Sequence, residues 1–162
     1  MIEVKELRKS FNGDVEVLKG ITTTFETGKV NLIIGQSGSG KTVFLKSLLN
    51  VYEPSSGGIL FDGRDIMNMS REEKQGLRAE IGTVFQGSAL FDSMTVEENI
   101  SFPLDMFTNL TYREKKRKVL EVIGRVNLDK ANKKFPSEIS GGMQKRVAIA
   151  RAIVNNPKYL FC

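Results

Sequence analysis

The stretch with the clearest capacity for chemistry is GQSGSGKT, from Gly35 to Thr42. It matches the pattern G-x-x-x-x-G-K-[ST] and stands between an apolar run and an amphipathic segment, the context in which such a loop binds phosphate. Its glycines let the backbone wrap closely around a phosphate group, and the N–H groups of residues 37–42 and the dipole of the following helix then attract the anion. Lys41 supplies charge for the β- and γ-phosphates, and Thr42 supplies a hydroxyl for Mg²⁺. These residues predict a nucleoside-triphosphate site.

A second candidate phosphate site is ISGGMQKRVAIARAI, residues 139–153. Ser140 is a good helix N-cap, and capping alone would explain its presence. Gly141 and Gly142, however, occupy the first helical turn, where each glycine costs about 1 kcal/mol relative to alanine. Bare backbone at a helix N-terminus allows an anion to approach closely. One triphosphate could use both glycine-bearing sites if they came from two subunits that face each other.

Strands are predicted mainly in the first half of the chain. Val30 to Ile34 is a near-continuous apolar run between glycines, which is typical of a strand covered on both faces in a parallel sheet. Shorter strand signals are Ile2/Val4, Val15/Val17, Ile21 to Phe25, ILFDG (59–63) and IGTVFQ (81–86), with a turn at NGD (12–14). The final NNPKYLFC indicates a turn followed by the start of a buried strand.

Helices are predicted from capping pairs and from the spacing of apolar residues. Ser70 with Glu73 and Thr111 with Glu114 are capping-box pairs. Apolar residues at helical spacing follow in three places: Phe44, Leu45, Leu48 and Leu49; Val119, Val122, Ile123 and Val126; and, after Ser140, Met143, Val147, Ala150 and Val154. Strands and helices in this order indicate an α/β fold.

The composition excludes several chemistries. The chain has no histidine, so a Ser-His-Asp relay, a Cys-His pair and His-ligated zinc are all excluded. Cys162 is the single cysteine, which fits a reducing compartment, and no run reaches the ~18–20 apolar residues of a membrane span. The net charge of +5 favours anionic partners. The basic run REKKRK (113–118) is interpreted as a solvated helix face and not as a nucleic-acid surface.

Taken together, these motifs resemble the nucleotide-binding domain of ABC (ATP-binding cassette) proteins. GQSGSGKT matches the Walker A loop, VFQG (84–87) the Q-loop, and ISGGMQKRVAIARA the ABC signature, in the family's order and over essentially the whole chain. The resemblance implies a P-loop NTPase with a RecA-like core, an N-terminal antiparallel β subdomain and a helical signature subdomain. It divides a single, incomplete domain into 1–86 (β subdomain and P-loop core), 87–150 (helical subdomain) and 151–162 (return to the core sheet).

The resemblance also implies roles for individual residues, with ATP and Mg²⁺ as ligands. Phe11 lies where the family places an aromatic that stacks on adenine, the alternative being a strand core residue. Lys41 and Gln86 would be catalytic, and Thr42 and Gln86 would face Mg²⁺. The ATP-binding set it implies is Phe11, Gly35, Gln36, Ser37, Gly38, Ser39, Gly40, Lys41 and Thr42, and the set contacting ATP on the opposite subunit is Ser140, Gly141, Gly142, Met143 and Gln144. Ile139 and Met143 depart from the commoner LSGGQ, which implies tuning of this site and not its loss.

Residues 85–104, FQGSALFDSMTVEENISFPL, resemble the corresponding part of the ATPases of bacterial MCE (mammalian-cell-entry) lipid-transport systems. This implies a homodimer of ATP-binding subunits with a transmembrane permease and an MCE-type lipid-binding partner, peripheral on the cytoplasmic side of the inner membrane. Amino-acid importers share parts of the segment, and a non-transport ABC ATPase or a non-catalytic nucleotide-binding module are further alternatives. Its apolar residues have a plainer explanation too, namely packing of the helical subdomain: Leu90, Phe91, Ile100, Phe102 and Leu104.

The end of the chain bears on catalysis. In the family, the strand written here as KYLFC (158–162) leads into two acidic residues, of which the first helps to hold Mg²⁺ and the second orients the attacking water. The family's switch histidine lies further on. The polypeptide is therefore interpreted as a fragment, the alternative being a genuine short form, and in either case it is expected to hydrolyse ATP poorly or not at all. An unpaired sheet edge and uncovered apolar surface predict aggregation or self-association.

Overall fold

The computed structural model describes residues 1–11 and 15–162, so the predicted turn at 12–14 lies outside the described residues. The chain divides into two units, Met1–Arg71 and Glu72–Cys162. In the part of the chain that the structure describes, no helix is long and apolar enough to cross a bilayer.

The first unit is built on an antiparallel sheet in the order β2-β1-β3-β4. Its strands are β1 (Ile2–Phe11), β2 (Val15–Phe25), β3 (Ser56–Phe61) and β4 (Arg64–Asp65), and helix α1 (Lys41–Leu48) lies between β2 and β3 in sequence. The short strand signals before residue 26 thus belong to two long strands that pair with each other. One face of this sheet is closed over fully buried residues: Val4, Leu7, Leu18, Ile59 and Phe61.

The expectation of a buried strand at residues 30–34 is wrong. These residues form no strand, and Val30, Leu32 and Ile34 are 98%, 82% and 82% exposed. A parallel strand needs a neighbour on at least one side for its backbone hydrogen bonds. No strand within residues 1–11 and 15–162 pairs with this run.

The second unit is mostly helical. Its elements are α2 (Arg71–Ala79, which begins at the unit boundary), β5 (Ile81–Thr83), α3 (Val96–Phe107), α4 (Tyr112–Arg125), a 3₁₀ turn (Pro136–Glu138), α5 (Gly141–Ile153) and β6 (Tyr159–Phe161). Strand β6 pairs in parallel with β5, placing Tyr159 opposite Ile81. The predicted terminal strand is confirmed, but only Tyr159 in it is buried, and Leu160 is half exposed.

Helices α3, α4 and α5 enclose the core of this unit. Capping boxes begin α3 at Thr95, with Glu98, and α4 at Thr111, with Glu114, the second of which the sequence predicted. The core consists of apolar residues from all three helices and the intervening loop: Val96, Ile100, Leu104, Val119, Val122, Ile123, Leu128, Ala131, Ile139, Val147, Ala150 and Val154. Three helices that share one apolar centre form a closed packing unit.

Candidate nucleotide-binding site

The glycine-rich loop has the backbone conformation that its sequence demands. Gly38 and Gly40 adopt φ angles of +80° and +92°, in the left-handed region that side-chain-bearing residues rarely occupy. A Cβ at Gly38 would meet no atom within 4 Å, so the loop surface there is open. Helix α1 begins immediately after this turn, at Lys41. The loop therefore delivers free backbone N–H groups at a helix N-terminus, where an anion binds.

The ammonium group of Lys41 lies on the same loop. Its Nζ donates hydrogen bonds of 2.7 Å to the carbonyl oxygens of Gly35 and Gln36. A backbone bond of 3.2 Å from Ser39 N to Gln36 O closes the turn between them. Because both acceptors of the ammonium are neutral, a phosphate oxygen would be a stronger partner for this charge.

Helix α1 fixes the C-terminal side of the loop to the first unit. Phe44 and Leu48 are buried, and the Phe44 ring packs 6.2 Å from the Phe25 ring of β2. At Gly40, an added Cβ would lie 3.3 Å from the Leu18 side chain, so the turn is close against β2. The loop is thus anchored where the helix begins and exposed where residues 30–35 enter it.

These residues fit a triphosphate with a divalent cation. The left-handed glycines, the open surface at Gly38 and the Lys41 charge suit phosphate, and Thr42 is exposed at the start of α1 with the hydroxyl that a phosphate-bound Mg²⁺ takes. No cluster of three or more Asp, Glu, Cys or His side chains within the described residues could hold a metal alone. A cation here would accordingly be held mainly by phosphate oxygens and Thr42.

Phe11 ends β1 and is 37% exposed, so it is not a strand core residue. Its ring packs edge-on against Tyr52 with centroids 5.3 Å apart, and the Lys9 ammonium lies 5.1 Å from its centroid. Glu53, next to Tyr52, accepts a 2.7 Å hydrogen bond from Lys9 through its carbonyl. These contacts hold the Phe11 ring at the surface of the first unit.

Gln86 belongs to the second unit and is exposed. It follows β5, which ends at Thr83 and is extended by a 2.8 Å hydrogen bond from Val84 N to Phe161 O. After Gln86 the chain turns sharply at Gly87, whose φ is +75°. The glutamine therefore stands between a paired strand and a tight turn.

The signature residues begin α5 in the second unit. The Ser140 hydroxyl accepts a 3.3 Å hydrogen bond from Met143 N, which confirms the predicted N-cap. A Cβ at Gly141 would meet nothing within 4 Å, and one at Gly142 only the Ser140 hydroxyl at 4.0 Å. Packing within the second unit thus gives no reason for either glycine, as expected if the bare backbone serves a ligand.

Met143 and Gln144, by contrast, make contacts within their own unit. Met143 packs against the helical core, and the Gln144 amide donates a 3.0 Å hydrogen bond to the carbonyl of Pro136. Their side chains thus support α5 and the 3₁₀ turn that precedes it.

The sequence-predicted site residues therefore fall into two groups. Phe11 and residues 35–42 lie in the first unit, and Gln86 and residues 140–144 lie in the second.

Sequence reasoning missed two buried polar residues, Arg151 and Asn99, which are 8% and 0% exposed. Burial lowers the pKa of the Arg151 guanidinium below its ordinary value. A signal for Arg151 was present, because it falls four residues after Val147 and three before Val154, on the apolar stripe of α5.

The comparisons with known proteins agree with this geometry. The model of the ABC transporter family matches residues 18–162. The chain is 43% identical over 161 residues to the probable ribonucleotide transport ATP-binding protein Mkl of Mycobacterium tuberculosis, covering 99% of this chain and 45% of that protein. It is 40% identical over 157 residues to the cell division ATP-binding protein FtsE of Bacillus subtilis, covering 97% of this chain and 68% of FtsE. It is also 36% identical over 165 residues to the methionine import ATP-binding protein MetN 1 of Pseudomonas putida, covering the whole chain and 49% of MetN 1.

The chain is also similar to solved structures of ATP-binding cassettes. The ATP-binding cassette MJ0796, in a dimeric post-hydrolysis state with ADP and Pi, has a TM-score of 0.88 and 30% identity, covering 99% of this chain and 72% of that one. CbiO1 of Clostridium perfringens, part of the transporter complex CbiONQ, has a TM-score of 0.85 and 34% identity, covering 98% and 63%.

The chain thus has the P-loop ABC ATPase fold, of mixed α/β architecture with an antiparallel sheet. The chain belongs to the ABC transporter family. It spans about half the length of Mkl and of MetN 1.

Proposed function

We propose that this chain is the ATP-binding part of an ABC transporter, in which two ATP-binding subunits close over MgATP and drive a separate permease. The observation that carries the proposal is the loop from Gly35 to Gly40, with its two left-handed glycines and the Lys41 ammonium held across it. In this proposal the loop amides and Lys41 bind the phosphates, Thr42 and Gln86 face Mg²⁺, and Phe11 stacks on the adenine.

The second half of the site would come from a partner subunit. The exposed glycines at 141 and 142 have no packing role in their own unit, which supports a role against a ligand held elsewhere. MJ0796, of the same fold, is dimeric in its structure with ADP and Pi. On this basis Ser140, Gly141 and Gly142 contact the γ-phosphate of ATP bound to the opposite subunit, and Met143 and Gln144 hold α5 beneath them.

Calorimetric titration with MgATP tests the first half of the site. We expect saturable binding that Lys41→Ala weakens by roughly 10- to 100-fold, since a hydrogen bond to a charged group contributes about 1.5–3 kcal/mol. Lys46→Ala is the matched control, because Lys46 lies on the same helix and contacts Tyr52. Equal affinity of the Lys41→Ala variant and the parent would contradict the proposed role of the loop.

The proposed cargo is a phospholipid-type lipid, moved across or between bacterial envelope membranes with an MCE-type partner, while this subunit lies on the cytoplasmic side of the inner membrane. The segment 85–104 supports a membrane partner, because it divides into buried and exposed apolar residues. Ile100 and Leu104 are fully buried and only pack the core, whereas Phe85 and Phe91 are 52% and 39% exposed. We assign Phe85 and Phe91 to the permease contact.

An importer of amino acids is the second candidate, supported by the 36% identity to MetN 1 over the whole chain. The two are separated in the transporter reconstituted with its permease in proteoliposomes. ATP-dependent transfer of a labelled phospholipid, with no uptake of labelled methionine, supports lipid transport, and the reverse result supports the importer. A non-transport ATPase would do neither.

Slow hydrolysis by the 162-residue polypeptide stays a prediction from the sequence. Phosphate release measured on purified material, with its mass confirmed to end at Cys162, tests it. Steady turnover that Lys41→Ala removes would contradict the prediction and leave the binding role intact.

A further inference from the structure

The guanidinium of Arg151 is buried at the C-terminal end of α5 and is hydrogen-bonded to a loop more than sixty residues away in sequence. Its two terminal nitrogens donate bonds of 2.9 Å to the carbonyl oxygens of Ser88 and Ala89. Its central carbon lies 5.8 Å from the centroid of the Phe91 ring. A forked cation that binds two successive carbonyls fixes both the position and the direction of that backbone.

The backbone that Arg151 holds is strained. Ser88 and Ala89 adopt φ angles of +67° and +43°, in the left-handed region, although neither is glycine. Such a conformation is unfavourable for a residue with a side chain and persists only where the surroundings enforce it. The guanidinium donates its two hydrogen bonds to the carbonyl oxygens of these two residues, so Arg151 supplies the enforcing contact.

The far side of the same turn is held by Asn99 of α3. Its side-chain oxygen accepts a 2.9 Å bond from Phe91 N, and its amide donates to the carbonyls of Phe91, Met94 and Thr95 at 3.0, 3.0 and 3.1 Å. The turn is therefore fixed from two helices at once.

The strand before Gln86 touches the same end of α5. A Cβ added at Gly82 in β5 would lie 2.2 Å from the carbonyl oxygen of Ala152, so the two backbones are in direct contact there. Arg151 and Ala152, adjacent on α5, thus hold the segment on both sides of Gln86, at residues 88–89 and at residue 82. Helix α5 begins at the signature glycines, and Gly141 lies ten residues, or roughly 15 Å along the helix, from Arg151.

We propose that Arg151 is a positioning residue for Gln86, so that the signature helix and the turn after Gln86 are held as one piece. This proposal about Arg151 rests on the proposed function only for the role given to Gln86. The inference itself concerns the order of the Gln86 turn and requires no nucleotide.

A single tryptophan tests this inference. The chain contains no tryptophan, and Phe85 is half exposed beside Gln86, so Phe85→Trp places one fluorophore on the segment. Acrylamide quenching is measured on the nucleotide-free full chain, in the reporter background and with Arg151→Met added. We expect the quenching constant to rise roughly twofold or more when Arg151 is removed, because the turn loses its anchor and opens locally.

The matched control is Arg146→Met in the same background. Arg146 lies on the same helix and also donates to two successive carbonyls, those of Val126 and Asn127, each at 3.0 Å, but at the end of α4. Its loss also removes two guanidinium–carbonyl hydrogen bonds, here both from one nitrogen, without touching the Gln86 turn. We expect its quenching constant to stay at the parent value.

If Arg151→Met does not fold, the lysine variants Arg151→Lys and Arg146→Lys provide the test. Arg151→Lys retains the charge but cannot bind both carbonyls in a planar fork, and its quenching constant should fall between those of the parent and the methionine variant. Arg146→Lys is its control. The inference is overturned if the Arg151 variants quench like the parent, or if both arginine positions raise quenching equally. Because no ATP is present, these outcomes are independent of whether the chain binds nucleotide.

Discussion

The helical region from Val96 to Val154 and the loop region from Val30 to Gly40 differ in what holds them. In the helical region each helix is capped locally and its apolar side chains are buried against two other helices of the same region. In the loop region the apolar side chains are exposed, and regular secondary structure begins only at α1, which packs on β2. The helices need only their own caps and one another, and they form. Residues 30–34 could form a parallel strand only beside a partner strand.

The difference matters for function because each region contains one of the two candidate phosphate sites. The signature glycines open a helix that is firmly packed, and the phosphate-binding loop follows a segment that is not. We therefore expect ligand binding to order the first site more than the second. Four sets of variants test this difference between the two regions.

The largest expected difference is between two leucines. Leu104→Ala removes a fully buried side chain from the helical core and should lower the free energy of unfolding by about 2–5 kcal/mol. Leu32→Ala removes a side chain that is 82% exposed and should change it by less than about 0.5 kcal/mol. Urea unfolding measures both. A cost for Leu32→Ala close to that for Leu104→Ala would mean that residues 30–34 are buried.

Two glycines in the second unit form the next pair. Gly82→Ala would place a Cβ 2.2 Å from the Ala152 carbonyl oxygen, and the overpacking should cost about 3 kcal/mol. Gly76→Ala, inside α2 with nothing within 4 Å of the added Cβ, should instead stabilise by about 0.5–1 kcal/mol. Thermal unfolding followed by circular dichroism separates the two. A neutral Gly82→Ala would contradict the close approach of α5 to β5.

The exposed apolar run should also control self-association. Leu32→Lys and Ile34→Lys place charge on the uncovered segment, and we expect less dimer and aggregate in sedimentation experiments with the unfolding midpoint unchanged. Leu120→Lys is the control, because it also replaces an exposed apolar side chain by lysine, but on α4. If association is the same in all three variants, the run at 30–34 is not its cause.

The smallest effect concerns the capping carboxylates and pH. Hydrogen bonds from the Thr95 backbone and hydroxyl lower the pKa of Glu98 below 4.5, and those from the Thr111 hydroxyl and backbone lower that of Glu114. The stabilisation is therefore complete above pH 4.5 and is lost as the pH falls through the lower folded-state pKa. In the double variant Glu98→Gln with Glu114→Gln, the free energy of unfolding should depend less on pH as the pH is lowered below 4.5. An unchanged acid dependence would exclude these caps as its source.

Local patterns predicted much of the fold. The capping pair at Thr111 and Glu114 and the stripe after Ser140 identified α4 and α5, because cap and apolar spacing are both properties of a short window. The same capping pair at Thr95 and Glu98 begins α3, a helix that the sequence analysis did not predict. The helix explains why Ile100 and Leu104 are core residues.

The features that the sequence did not predict depend on contacts between residues distant in sequence. The run at 30–34 has the composition of a buried strand, but composition does not supply a partner. Arg151 was read as part of a motif, and its role depends on carbonyls at residues 88 and 89 that no local window contains. For the site, the loop pattern predicted a backbone able to wrap around phosphate, whereas the left-handed conformations of Gly38 and Gly40 and the hold of Lys41 on the carbonyls of its own loop required the structure.

Hydrogen–deuterium exchange with and without MgATP tests the central claim most directly, because the loop amides are themselves the proposed ligands. We expect peptides covering residues 36–43 to exchange at least about tenfold more slowly with MgATP, while peptides from α4 and the buried part of α5 are protected in both states. The protection at 36–43 should be lost in Lys41→Ala. Calorimetric binding of MgATP without any slowing at residues 36–43 would contradict the account, since the nucleotide would then bind elsewhere on the chain.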